Sequence, residues 1–280
     1  MTIMAVNYSG SVDQISGVRA PAAAVPAAAV PVLICLLVQF QVMGRGGVLR
    51  NNSQKAEQLL STLALSPHQA TARSFLLDVL WPDTNSVQSG VLLRGLLHKV
   101  RLWFAGLLNG QPLVVRDEDT FRLNLDAGVR VDMMEFERHV ACGDQAVRWN
   151  KEAEALQHYA DAAHLYRGDL LAYSCADVEI ERERLRGLYL RATGHLAHQH
   201  FSDGDFLKAI DYAQRMLRTN PFHEDAHRVI MRSYARRNER GQALRQFQLC
   251  QSMLYSEFNI QPELETLALY ELIRLHPARV

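Results

Sequence analysis

The tightest constraint on this chain is an internal period. Phe206-x-x-Ala209-Ile210 is answered by Gln242-Ala243-Leu244, so that Ala209 and Ala243 stand 34 residues apart. A turn containing glycine precedes each, Asp203-Gly204-Asp205 and Glu239-Arg240-Gly241, and Asn220-Pro221 closes the first unit. A helix-turn-helix unit of this length, with a small residue at the helix crossing, cannot bury its apolar face alone, so neighbouring units must stack. Tyr189, Phe201, Phe206, Tyr212, Tyr234 and Phe247 fall at helical spacings and read as packing between those helices. Helices are also expected upstream, from near Asp132 (with Met133, Phe136 and Val140 inward), over 152–166, and over 177–200.

The first half of the chain has a different pattern. Residues 1–31 are small and polar and then Ala/Pro-repetitive, a composition that cannot offset the entropy of ordering, so a disordered leader is expected. The run V-L-I-C-L-L-V-Q-F-Q-V over 32–42 suits one strand, and Gly44-Arg45-Gly46-Gly47 a turn before a short strand over 48–50. That glycine cluster lacks the spacing and following helix of a nucleotide-cradling loop. Asn51, Asn52 and Ser53 then cap a helix to about Leu65, with Ala56, Leu59, Leu60 and Leu63 on its apolar face. Thr71 is expected to cap a second helix that ends at Trp81-Pro82, and Asp83-Thr84-Asn85-Ser86 to turn and cap a third. After Asn109-Gly110, the segment P-L-V-V-R-D-E-D-T-F-R-L-N-L reads as a β-hairpin with Phe121, Leu123 and Leu125 on one face.

The third helix, over 86–108, is amphipathic. Leu93, Leu97, Val100 and Phe104 form a stripe widened by Leu96, Trp103 and Leu107, while Arg94, His98 and Arg101 fall on the other side with Lys99 on a flank. Taken alone this is an ordinary helix with solvated arginines. Its place after a strand and two helices and before a hairpin is the element order of a winged helix-turn-helix. There the third helix enters the major groove and the hairpin lies on the backbone. The fold class is therefore mainly α with small β. A leader over 1–31 and a winged helix over 32–130 are followed by a tetratricopeptide-like helical domain over 131–280.

Charge supports this division weakly. Residues 1–131 carry 11 basic and 8 acidic side chains, residues 132–280 carry 19 and 22, and 7 basic side chains against 3 acidic lie between Gly44 and Arg101. A mild positive footprint thus surrounds the third helix in a chain of zero net charge. Cys35, Cys142, Cys175 and Cys250 are scattered without C-x-x-C spacing, as expected of structural thiols in a reducing cytosol. The apolar run at 32–38 is too short to span a bilayer, and the N-terminal Ala/Pro run lacks a basic flank.

His223-Glu224-Asp225-Ala226-His227 spells H-E-x-x-H, and His195, His198 and His200 lie upstream, so a zinc hydrolase is a rival of a different class. Against it, the motif directly follows Asn220-Pro221 at the start of a repeat helix, where acids favour the first turn, and no third ligand follows at the usual spacing. No metal, no cofactor and no enzymatic activity are expected.

The second half resembles the activation domain of SARP-type (antibiotic-regulatory-protein-type) transcriptional activators. The resemblance is carried by L-Y-R-G-D-L-L (165–171), E-R-E-R-L-R (181–186), G-D-F-L-K-A-I (204–210), N-P-F-H-E-D-A-H-R-V-I-M-R-S-Y-A (220–235), A-L-R-Q-F-Q-L-C (243–250) and N-I-Q-P-E-L-E-T-L-A-L-Y (259–270). K-A-E-Q-L-L-S-T-L-A-L-S-P (55–67), L-L-D-V-L-W-P-D (76–83), L-H-K-V-R (97–101) and F-R-L-N-L-D-A-G-V-R-V-D (121–132) are similar to that family's N-terminal pattern. The resemblance implies a cytoplasmic, nucleoid-associated activator that binds double-stranded DNA and helps recruit RNA polymerase holoenzyme. A homodimer is one arrangement open to it, and no membrane partner is implied. It places the basic recognition positions on Arg94, Lys99 and Arg101. With those, His98 is expected to face bases, and Lys55, Arg73, Arg116 and Arg122 to position the backbone, although Asp117, Glu118 and Asp119 at the hairpin tip would repel phosphate. This chain has Val91 and Leu92 where the family usually has small polar residues, and His98 in place of a serine. Gly90 and Gly95 each weaken the helix by about 1 kcal/mol relative to alanine. The alternative is a helical-repeat adaptor with a degenerate winged helix.

Overall fold

The computed structural model describes residues 32–44, 46–49, 53–66, 68–108, 110–170 and 176–276. The expected leader, Cys175 and the C-terminal four residues lie outside them. The order is β1 (Val32–Cys35), β2 (Gln41–Gly44), β3 (Gly47–Leu49), α1 (Gln54–Leu65), β4 (Thr71–Ala72), α2 (Arg73–Leu80), α3 (Ser86–Phe104), β5 (Val114–Asp117), β6 (Thr120–Leu123) and β7 (Val129–Val131). Seven helices follow: α4 (Asp132–Arg148), α5 (Glu152–Leu165), α6 (Ala176–Ser202), α7 (Phe206–Thr219), α8 (Glu224–Arg236), α9 (Arg240–Phe258) and α10 (Leu264–Leu275). Two small sheets are formed, one ordered β3-β2-β1-β7 and the other β4-β6-β5.

Two expectations are corrected and one element is added. The single strand over 32–42 is an antiparallel hairpin, β1 with β2, because the chain reverses through Val38 at φ 81°. A β-branched residue rarely takes that conformation, and tertiary bonds hold it there. The Leu36 and Leu37 N–H groups donate to the Asp132 carboxylate at 2.9 and 3.1 Å, and the Val38 N–H donates to the Asp169 carbonyl at 2.7 Å. Second, Thr71 does not cap α2. It belongs to β4, paired with Phe121 of β6, and α2 starts at Arg73 without a side-chain cap. Third, β7 closes the N-terminal sheet parallel to β1 (Val32 opposite Val129), a pairing with no local sequence signal.

One hydrophobic core runs from Val32 through α1, α2, α3 and the β5–β6 hairpin into α4, α5 and α6 as far as Leu196. β7 passes directly into α4, and Asp132 at that junction also receives the Met133 N–H at 2.7 Å. Further along, Ala209 and Ala243 are both fully buried, at the crossings that the 34-residue period predicts. α7 and α8 share a core of Ala213, Met216, Ala226, Val229 and Ile230. Met231, Phe247, Leu269 and Ile273 form the next one. Among the described residues no helix is long and apolar enough to cross a membrane.

Candidate nucleic-acid interface

α3 is positioned from its first turn. The Asn85 side chain accepts the Gln88 N–H at 2.9 Å, and the Ser89 hydroxyl donates to the Asn85 carbonyl at 3.0 Å. Leu93, Leu96, Val100 and Phe104 are buried in the shared core beside α1 and α2, whereas Leu97, expected in the same stripe, is only half-buried. Arg94, His98, Lys99 and Arg101 are exposed. Leu97, His98 and Arg101 line one wall of a cleft of about 290 Å³ whose other wall is the β5–β6 hairpin, with Val114, Arg116 and Phe121.

The hairpin arginines take opposite faces. Arg116 pairs across the ladder with buried Phe121 and lies 6.0 Å from its ring centroid, on the cleft side, with Nε donating to the Glu118 carbonyl at 2.7 Å. Arg122 pairs with Val115 and, by strand alternation, faces away from the cleft. Arg73 packs across α3. A Cβ built at Gly90 would collide with its guanidinium, so this glycine admits Arg73 against the helix. The Arg94 Nε stands 3.4 Å from the Gly90 carbonyl, which gathers Arg73 and Arg94 around one turn. Arg73, Arg94, Arg101 and Arg116 thus follow the flank of α3 that faces the hairpin, with His98 beside them and Lys99 on the other flank. Among the described residues none of these cations forms a side-chain ion pair, although Arg73 shares a pocket with Asp78 and Asp119.

Lys55 is placed differently from its expected role. Its ammonium donates to the Leu80 carbonyl, at the end of α2, and to Gln58 Oε1 at 3.2 Å. A lysine there satisfies a terminal helix carbonyl and ties α1 to α2. The apolar departure at Val91 and Leu92 extends further than the sequence reading took it. Val87, Val91 and Leu102, spaced on one helical face with Gly95 and His98 between them, form an exposed apolar line along the outward side of α3, with Leu92 beside it. Helical spacing carried that signal.

The H-E-x-x-H side chains are committed elsewhere. His223 caps α8, its Nδ1 accepting the Ala226 N–H at 3.3 Å. Glu224 accepts from the Glu263 N–H and the Thr266 hydroxyl, fastening α10, while Asp225 pairs with His198 at 2.8 Å. His227 is buried between the Pro221 carbonyl (3.0 Å) and Gln246 (2.7 Å), and burial pushes its pKa down. His195 bonds Glu152 at 2.6 Å and His200 stacks on Tyr212. The mixed-charge surface of α6 is engaged too: Arg182 donates to the Leu170 carbonyl, Arg184 pairs with Glu137 and Glu181, and Arg186 with Asp169. Burial raises the Cys35 and Cys250 thiols to about 12, which suits inert structural cysteines.

The model of the bacterial transcriptional activator domain family matches residues 131–274. Among solved structures, Mycobacterium tuberculosis EmbR in complex with a low affinity phosphopeptide is similar with a TM-score of 0.71 at 18% identity. That likeness covers 87% of this chain and 65% of EmbR, so the chain spans about two thirds of its length, and it shows a shared fold. The C-terminal TPR-containing domain of a Plasmodium falciparum FK506-binding protein is similar over 53% of this chain and 93% of its own, at 17% identity and a TM-score of 0.39. No curated protein sequence shows significant similarity to the chain.

Proposed function

The chain belongs to the family of SARP-type regulators that carry the bacterial transcriptional activator domain, and from that premise we propose that it is a DNA-binding transcriptional activator of the cytoplasm. α3 enters the major groove, with Arg94 and His98 facing bases and Lys99 and Arg101 serving bases or phosphates. Arg73, Arg116 and Arg122 hold the backbone, and the helical domain contacts RNA polymerase holoenzyme. The observation that carries this reading is the clustering of Arg94, His98 and Arg101 on the exposed side of α3, with His98 and Arg101 sharing a cleft wall opposite Arg116 of the hairpin. Lys55, whose ammonium donates to the end of α2, would have to exchange that bond for a phosphate to take part.

The test is a salt-titrated binding assay on the best site recovered from a randomised duplex pool, against random DNA. Arg94→Ala abolishes the preference for the selected site. Arg122→Ala weakens binding to both duplexes alike and lowers the salt slope by about 1. Equal losses on both duplexes for both variants would sink the assignment of Arg94.

The exposed line of Val87, Val91 and Leu102 favours a second reading, in which the outward face of α3 meets a protein and the chain is an adaptor. The pool selection separates the two: an adaptor enriches no site above the random background.

A further inference from the structure

Away from the winged helix, the crossing of α4 and α5 assembles a set of metal-ligating side chains. His139 lies on α4, while His158 and Asp161 lie one turn apart on α5. Gly143 makes the crossing close. A Cβ there would stand 2.6 Å from Cε1 of Tyr159, whose hydroxyl donates back to Asp144 of α4 at 2.8 Å. The two imidazole Nδ1 atoms therefore come within 3.3 Å of each other, and Oδ2 of Asp161 lies 3.6 Å from Nδ1 of His139. All three ligand atoms lie within 4.8 Å of one another.

A tetrahedral zinc ion, with Zn–N and Zn–O bonds of about 2.0–2.2 Å, separates its ligand atoms by about 3.3–3.6 Å. Two of the three separations already match that edge. The residues are half-buried, so an ion can enter and keep a water. Gln157 Nε2 donates to Oδ1 of Asp161 at 3.0 Å, which leaves Oδ2 turned to the rings in the manner of an outer-shell partner. Two imidazoles and one carboxylate suit zinc, cobalt or nickel better than magnesium or calcium.

We propose that His139, His158 and Asp161 form a binding site for a divalent transition-metal ion of the zinc class, with water in the fourth position, which clamps α4 to α5. One neighbour opposes it. Nη2 of Arg138 stands 2.9 Å from Nε2 of His139, and a guanidinium can only donate, so the ring proton sits on Nδ1. Metal at Nδ1 displaces that proton to Nε2 and turns Arg138 away, towards Glu135 Oε2, with which it is already paired at 2.9 Å. Arg138 thus acts as a competitor whose removal tightens the site.

The experiment uses the full chain, freed of metal by chelator dialysis, with zinc titrated against a chromophoric chelator and cobalt absorption reporting coordination. One equivalent binds with a four-coordinate cobalt spectrum and raises the melting temperature. His158→Ala and Asp161→Asn each weaken zinc at least tenfold and lose the thermal shift, while Arg138→Ala tightens it severalfold. Circular dichroism checks that each variant is folded. A folded wild-type chain that takes up no zinc overturns the proposal. So does His158→Ala binding as tightly as wild type, or loss of the equivalent in His195→Ala/His198→Ala instead.

Discussion

The Asp132 carboxylate accepts three backbone N–H groups, from Leu36, Leu37 and Met133. Leu36 is fully buried, so its amide has no recourse to water if the carboxylate is removed. Asp132→Ala is expected to cost about 3 kcal/mol or more, at about 1–3 kcal/mol for each stranded donor. Asp132→Asn keeps Oδ1 for Leu36 and Met133 but points an amide at the Leu37 N–H, and costs about half as much. Urea midpoints of the two variants check the order; equal losses would show that the hydrogen bonds kept at Oδ1 by the asparagine contribute nothing. His227 supplies the pH counterpart. Burial holds its folded pKa below the ordinary 6.5, so the unfolded chain takes up a proton first as pH falls. Its contribution is nil above that value and becomes a loss of stability as pH drops below it, by up to about 1.4 kcal/mol per pH unit. His227→Gln retains a donor for the Pro221 carbonyl and an acceptor for Gln246 without titrating. Between pH 7.5 and 5.5 it should lose less stability than wild type, and parallel losses would clear His227.

At the scale of the element, α3 carries two glycines of opposite meaning. Nothing stands within 4 Å of a Cβ at Gly95, so Gly95→Ala should stabilise the chain by about 1 kcal/mol through helix propensity alone. Gly90→Ala gains the same propensity but drives away the Arg73 guanidinium, the movable end of a flexible side chain. It should melt no lower than wild type yet bind every duplex more weakly; unchanged binding would remove Arg73 from the interface. What could be read from sequence follows the same local logic. The caps of α1 and α3 at Ser53 and Asn85, the buried stripe of α3 and the alternation of β6 all depend on neighbours in the chain, and all appear as read. The reversal at Val38, the two residues of β4 and the three of β7 exist only because distant segments pair with them, and no nearby residue encodes that. In the interface, exposure of Arg94, His98, Lys99 and Arg101 was legible from helical phase. The diversion of Lys55 to the Leu80 carbonyl, 25 residues away, was not.

The whole molecule is held by cores of unequal reach. The largest spans the sheets, α1–α3 and α4–α6, and the L-Y-R-G-D-L stretch at 165–170 clamps the two parts together. Tyr166 packs on Phe136 and Tyr189, Asp169 pairs with Arg186 while its carbonyl holds Val38, and Leu170 bridges Leu37. The winged helix and the first helices of the activator domain therefore share one core among the described residues. The cores of α7–α8 and α9–α10 are separate, and stacked repeats with nearest-neighbour contacts lose structure locally. Phe136 and Ile273 are both fully buried, one in the shared core and one in the last. Phe136→Ala should cost about 3–5 kcal/mol and Ile273→Ala about 2–5 kcal/mol, but the losses should spread differently. Amide exchange in the Phe136 variant rises in α1–α3 as well as in α4–α6, because the lost ring supported both. In the Ile273 variant it rises in α8–α10 and leaves α3 as protected as in wild type. Faster exchange in α3 on truncating Ile273 would mean that the chain unfolds as one unit, and that a contact made by the terminal repeats is felt at the winged helix.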